Sequence, residues 1–118
     1  MSQDDIKEYL PLTEATYYIM VALSEPLHGY AVMQEVEKIS EGTVRVGPGT
    51  LYGVFTTLEK EGLIVKVKEE ERRKSYTLTP KGRAVLLSQV KRLGIMNRNG
   101  LAVSDRLSPE RRNVAGGT

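Results

Sequence analysis

Reactive side chains are scarce in this 118-residue chain, which has one histidine and no cysteine. The histidine, His28, stands beside Gly29 at an expected helix start, where capping or packing is its ordinary use. Without a thiol, a second imidazole or an inward pair of carboxylates, no catalytic set can be assembled. Neither an enzyme, a cofactor nor a metal site is expected. Gly47-Pro48-Gly49 is not a phosphate loop, because Pro48 lacks the needed N–H and no Gly-Lys-Ser/Thr ending follows.

What remains is non-covalent recognition, and two clusters are equipped for it. In one, Leu51, Val54, Phe55 and Leu58 sit at i, i+3, i+4 and i+7 and define the inner face of a helix. Gly49, Thr50, Gly53, Thr56, Thr57 and Lys60 then point outward, with Tyr52 on the flank. Small outward residues allow close approach to a groove wall. Threonine offers a hydroxyl for base edges or phosphates and a methyl for thymine. Tyr52 and Lys60 can each reach a phosphate. The plainer alternative is a surface helix that happens to be rich in threonine. In the second cluster Arg72, Arg73 and Lys74 are consecutive, so both sides of a strand carry charge. Such a tip can follow a phosphate backbone or enter a narrow minor groove. Against this, Glu69, Glu70 and Glu71 could neutralise the cations, leaving a solvated turn with local ion pairs.

The elements that must position these residues are legible from periodicity and caps. Residues 13–23 read as a helix with Thr13 as N-cap. Ala15, Ile19, Ala22 and Leu23 form its stripe, and Tyr17, Tyr18, Met20 and Val21 fill most other faces. A helix apolar nearly all round is buried on more than one side, which in so small a domain points to a second chain. A second helix is expected from about residue 28 or 29 to 39, ended by Gly42, then a short extended stretch over 43–47. The third helix opens at Pro48, which suits a first helical position, and closes at Gly62. Residues 63–68 and 75–79 read as two strands of a hairpin with a charged tip. Thr79 as N-cap and Pro80 then start a fourth helix. After Gly94, the breakers Asn97, Asn99 and Gly100 weaken the helical signal.

Composition agrees with one soluble domain, since 40% of residues are hydrophobic and 27% charged. No apolar run is long enough to span a membrane, and the acidic, polar N-terminus is unlike a signal peptide. A cytoplasmic location is the expectation. The net charge of +2 hides a strong polarity. Residues 1–40 carry two basic and seven acidic side chains, residues 41–83 nine and six, and residues 84–118 six and two. A positive face toward a polyanion is one consequence, and ordinary scatter of surface charge is the other reading.

Three segments resemble the PadR-type family of transcriptional regulators, named for control of phenolic-acid decarboxylase. They are Ala22-Leu23-Ser24-Glu25-Pro26-Leu27-His28-Gly29-Tyr30; Gly47-Pro48-Gly49-Thr50-Leu51-Tyr52 with Leu58-Glu59-Lys60-Glu61-Gly62-Leu63-Ile64; and Arg72-Arg73-Lys74-Ser75-Tyr76-Thr77-Leu78-Thr79-Pro80-Lys81-Gly82. Their order and spacing also fit, and the likeness covers about residues 12–95. It implies a winged helix, a homodimer and usually a repressor, with Thr50, Leu51 and Tyr52 opening the recognition helix. It implies a dimer interface of the fourth helix on the partner's first, placing Tyr18, Val21, Leu86, Val90 and Leu93 there. Members often answer to a small aromatic effector near that interface. Tyr17, Tyr18 and Met20 could line such a pocket, although dimer core is their plainer use and no tryptophan offers a stacking platform. The chain departs from the family where Gly94, Asn97, Asn99 and Gly100 interrupt a final helix that is usually long.

The expected fold is therefore mainly α with a small β-hairpin, a winged helix-turn-helix plus a C-terminal dimerisation helix. Residues 1–11 are an N-terminal segment, 12–79 the DNA-binding domain, 80–97 the dimerisation helix and 98–118 a poorly ordered or partly helical tail. The expected partners are double-stranded DNA and a second copy of the chain. The competing reading is a winged helix used as a protein-interaction or assembly module without DNA binding.

Overall fold

Thr13, His28 and Thr79 each accept a hydrogen bond from the backbone N–H three residues on, and each opens a helix. The distances are 3.2 Å from Thr16, a long 3.5 Å from Ala31, and 3.0 Å from Gly82. Such caps satisfy donors that a helix start leaves without partners. The computed structural model describes residues 3–70 and 72–109. The order is α1 (Gln3–Lys7), α2 (Glu14–Ala22), β1 (Leu27–His28), α3 (Gly29–Ile39), α4 (Pro48–Lys60), β2 (Ile64–Glu70), β3 (Arg73–Leu78) and α5 (Pro80–Leu107). Residue 43 lies in a bend and residues 44–47 belong to no helix or strand.

The strands form one antiparallel sheet in the order β1-β3-β2. Sequence periodicity marks the two long strands but not β1, whose two residues pair Leu27 with Tyr76 and His28 with Ser75. The hairpin is longer than its alternation indicates. β2 runs on to Glu70 and β3 begins at Arg73, so Arg73 and Lys74 lie in a strand and Arg72 in the turn. The register slips between Lys66 and Lys68, a bulge that increases local twist.

The core joins all these parts. Ile19, Met20 and Leu23 meet Val32 and Val36 of α3, Leu51, Phe55 and Leu58 of α4, Leu63, Ile64 and Leu78 of the hairpin, and Val85 of α5. The main-chain carbonyl of Leu23 accepts from both Leu78 N–H and the Thr77 hydroxyl, at 3.1 and 3.0 Å, which pins β3 to the exit of α2. Gly62 adopts φ +75°, the left-handed turn that ends α4, and Leu63 N–H closes it on the Leu58 carbonyl at 2.8 Å. Thr79 then donates to the Gly62 carbonyl at 2.6 Å. A Cβ at Gly82 would collide with the Leu63 backbone carbonyl. The start of α5 is thus fitted directly to the turn that joins α4 to β2.

Two expectations are corrected here. The fourth helix does not stop near residue 97. α5 is continuous for 28 residues, through Gly94, Asn97, Asn99 and Gly100, to Leu107. At 1.5 Å per residue that is about 42 Å. Each glycine costs about 1 kcal/mol against alanine, but Leu93, Met96, Arg98, Leu101 and Ala102 favour helix around them. The actual stop is Pro109, which disfavours helical geometry in the residue before it. The segment expected to be poorly ordered or partly helical is thus helical through Leu107, while residues 110–118 lie outside the described residues. Second, Met20 does not reach the surface. It is wholly buried in the chain's own core, and only Tyr17 and Tyr18 of that trio are half-exposed.

Ahead of this domain, α1 buries Ile6, and Leu12 N–H donates to the buried Gln89 side chain at 3.0 Å. Among the described residues, no helix is long and apolar enough to cross a membrane, and no cluster of potential metal ligands occurs.

Candidate nucleic-acid interface

The inner face of α4 is fixed by Leu51, Phe55 and Leu58, buried to 4% exposure or less. Val54 is only half-buried, at the edge of that stripe. Rotation about the axis then leaves Gly49, Thr50, Tyr52, Gly53, Thr56, Thr57 and Lys60 exposed, every one of the outward positions read from sequence. The hydroxyl of Thr56 donates to the Tyr52 carbonyl at 2.8 Å, and that of Thr57 to the Gly53 carbonyl at 3.2 Å. Both hydrogens are thus used within the helix. Methyl groups and oxygen lone pairs are what these two threonines offer to a groove.

Gly49 and Gly53 have ordinary negative φ, and a Cβ at either would meet no atom within 4 Å. The fold itself does not require their small size. An exposed glycine inside a helix costs about 0.5–1 kcal/mol relative to alanine. Close approach by something outside the chain is the remaining physical use of that smoothness.

Two of the wing's glutamates are paired with lysines of its own first strand. Glu69 meets Lys66 at 3.4 Å and Glu70 meets Lys68 at 2.9 Å. Two of the three glutamates that threatened to neutralise the tip are therefore engaged by lysines of β2; Glu71 lies outside the described residues. Among the described residues, Arg72, Arg73 and Lys74 have no carboxylate partner and all are exposed. Arg72 takes φ +71° at the turn.

These two clusters meet. A hollow of about 340 Å³ is lined by Tyr52 from α4, by Arg72, Arg73, Lys74 and Tyr76 from the wing, and by His28, Gly29 and Tyr30 from the start of α3. Behind it the buried ring of Phe55 packs on those of Tyr52 and Tyr76, with ring centroids 6.0 and 4.9 Å apart. Burial, with Glu59 nearby, holds the Tyr76 phenol above its ordinary value. The opposite flank of α4 borders a second hollow with Thr16, Thr50, Gly53, Val54, Thr57 and Leu58. Tyr76, on the wing itself, is outside the DNA-binding set singled out by sequence, and so are His28 and Tyr30. The pairing of β1 with β3 is what brings them to the wing, and a two-residue strand carries no periodic signal. The Leu27-His28-Gly29-Tyr30 segment of the family resemblance is the one clue that held them.

The remaining expected residues lie on α2 and α5. Leu86 and Leu93 are half-buried, Val90 is exposed, and Tyr18 and Val21 are half-buried on α2.

Comparison with known proteins agrees with this architecture. The chain is 40% identical over 68 residues to a transcriptional regulator of Mycobacterium tuberculosis, an alignment covering 55% of this chain and 61% of that protein. It is 39% identical over 74 residues to a 37.1 kDa protein of a transposon in Streptomyces fradiae, covering 62% of this chain and 21% of that protein. The chain thus spans less than two thirds of either relative. A PadR-like transcription factor from Bacteroides fragilis shares its fold with a TM-score of 0.63 and 28% identity, over 85% of this chain and 99% of that one. A PadR-like regulator from Bacillus cereus superposes with a TM-score of 0.64 at 23% identity, over 86% and 96% of the two chains. The model of the transcriptional regulator PadR-like family matches residues 19–88, and the chain belongs to that family.

Proposed function

We propose that the chain is a sequence-specific DNA-binding regulator that acts as a homodimer. The observation that carries this reading is the shared hollow. Tyr52 of α4 and the unpaired cations of the wing border one concave surface, beside a helix face left smooth and neutral. In a helix-turn-helix the second helix of the pair enters the major groove, its N-terminal residues nearest the bases. Here α3 and α4 are that pair. Gly49, Thr50, Gly53, Thr56 and Thr57 read base edges and thymine methyls, while Lys60, Arg72, Arg73 and Lys74 hold phosphates.

Repression from a pseudo-palindromic operator is the mode this reading adopts, with half-sites about 34 Å apart, one helical turn. The dimer is built on α5, whose Leu87, Val90, Met96 and Leu101 are exposed. Its place of action is the compartment that holds the DNA, the cytoplasm. A small aromatic effector would sit against Tyr17 and Tyr18, whose rings pack edge to face at 5.4 Å. Thermal shift against a panel of phenolic compounds tests that last element, and no rise in midpoint removes it.

The test of the whole reading is a gel shift and footprint on DNA upstream of the protein's own gene, repeated across a salt series. Binding should weaken steeply as salt rises. Absence of any protected site would leave the winged helix as a protein-interaction module.

A further inference from the structure

His28 is the chain's single histidine, and its two ring nitrogens are in different situations. Nδ1 accepts from Ala31 N–H at the start of α3, so the ring hydrogen resides on Nε2. The imidazole lines the hollow beside Tyr52 and also a neighbouring one bordered by Lys68, Glu70, Arg73 and Ser75. Arg73 is the other residue common to both. Among the described residues, no carboxylate lines the first hollow, and Glu70 in the second is already paired with Lys68. Among the described residues, the hydroxyls of Tyr30, Tyr52 and Tyr76 have no hydrogen-bond partner. Among the described residues, one concave surface therefore gathers three cations, an imidazole N–H and three free phenolic donors, with no carboxylate in its lining.

We propose that this hollow is a phosphate-binding site, and that it clamps one phosphodiester of the DNA backbone at the junction of α3, α4 and the wing. His28 Nε2–H and the hydroxyls of Tyr30 and Tyr52 are its neutral donors, and Arg73, which borders both hollows, its charge. The site rests on the DNA-binding reading for its occupant, but not for its anion chemistry. A phosphate held there is gripped by donors from two helices and the wing at once. It fixes the angle at which α4 enters the groove, as backbone contacts do without carrying sequence information.

The experiment is a cycle between protein and DNA. Duplexes selected for binding to the full chain carry a single methylphosphonate, an uncharged phosphate, walked through each half-site flank. They are titrated with the wild type and with His28→Asn/Tyr30→Phe. Asparagine preserves the N-cap and Tyr30 is 63% exposed, so both proteins should melt together. For the wild type one methylphosphonate position should cost about tenfold, the scale of a lost hydrogen bond to a charged group. The double variant should lose about tenfold on unmodified DNA, and the same methylphosphonate should then cost it less than about twofold more. Fully additive losses would overturn the proposal. Separately, inorganic phosphate and pyrophosphate are titrated without DNA, following backbone amide shifts of residues 28–31 and 72–76. Shifts that disappear in Arg73→Ala support an anion site. Shifts without coupling in the cycle would make it a site for a free anion and overturn the DNA occupant. If no duplex is selected at all, the DNA reading falls, and the phosphate titration alone decides whether the hollow takes anions.

Discussion

Tyr52 lies across Gly29 so closely that a Cβ on the glycine would stand 2.5 Å from the tyrosine hydroxyl. Gly29 begins α3 and Tyr52 belongs to the first turns of α4, so this contact sets how the two helices of the DNA-binding pair meet at the proposed interface. The tyrosine is 53% exposed and free to swing outward. Gly29→Ala should therefore cost little stability, about 0.5–1.5 kcal/mol for a displaced rotamer. It should cost more in DNA affinity, about tenfold, if Tyr52 holds a phosphate. Thermal melts and gel shifts on the same preparation separate the two. Unchanged DNA affinity would mean that the position of Tyr52 does not matter to binding.

Gly53 makes the opposite trade. It sits inside α4 on the exposed face, and a Cβ there would have no atom within 4 Å. Replacing it by alanine removes backbone entropy from the unfolded chain and should stabilise the protein by about 0.4–1 kcal/mol. The same methyl would stand between the helix and a groove wall. Gly53→Ala should thus raise the melting temperature while lowering affinity for specific DNA. A variant that gains stability with full affinity would show that this face does not approach a partner closely.

How much of this was readable in the sequence differs between the two residues. The outward set on α4 follows from its own 3.6-residue period, because Leu51, Phe55 and Leu58 fix the inner face by themselves. The caps at Thr13 and Thr79 are equally local. The packing of Tyr52 on Gly29 is not, since it depends on how α3 and α4 cross. Nor is the approach of His28 to the wing, which a two-residue strand creates through pairing with Tyr76 and Ser75. Helix α5 misled for an energetic reason. Glycines and asparagines read as breakers one at a time, whereas a 28-residue helix absorbs about 1 kcal/mol per glycine among stronger helix formers. Met20 misled because periodicity says that a helix is apolar all round, but not which of its faces the chain covers itself.

The wing provides a test of charge against charge. Among the described residues, Arg73 has no carboxylate partner and Glu70 is held by Lys68 at 2.9 Å. Arg73→Ala should weaken binding to all DNA sequences alike and flatten the plot of log affinity against log salt by about one unit. Glu70→Gln releases a lysine near the same backbone and should leave affinity equal or slightly higher. Thr56→Ala, by contrast, should change preference at particular base pairs and leave the salt slope alone. Equal slopes for wild type and Arg73→Ala would remove the wing from the phosphate contacts.

The last prediction concerns how two copies are held. Leu86, Val90, Leu93 and Leu101 follow one side of α5 at near-heptad spacing, the pattern of a helix seam. Val90 and Leu101 are 46% and 63% exposed in the single chain. An aspartate at position 90 therefore breaks nothing inside the chain, and Val90→Asp should keep its helical circular dichroism and its melting behaviour at low concentration. In a dimer built on this face it would bury an unpaired charge, which is costly. Sedimentation should then report a monomer where the wild type is a dimer. The consequence for DNA is separable from folding. A monomer engages one half-site and loses the effective concentration that links the second, so affinity for the full operator should drop about a hundredfold or more. Affinity for an isolated half-site should be unchanged. A Val90→Asp protein that sediments as a dimer would place the seam elsewhere on α5 or on another element.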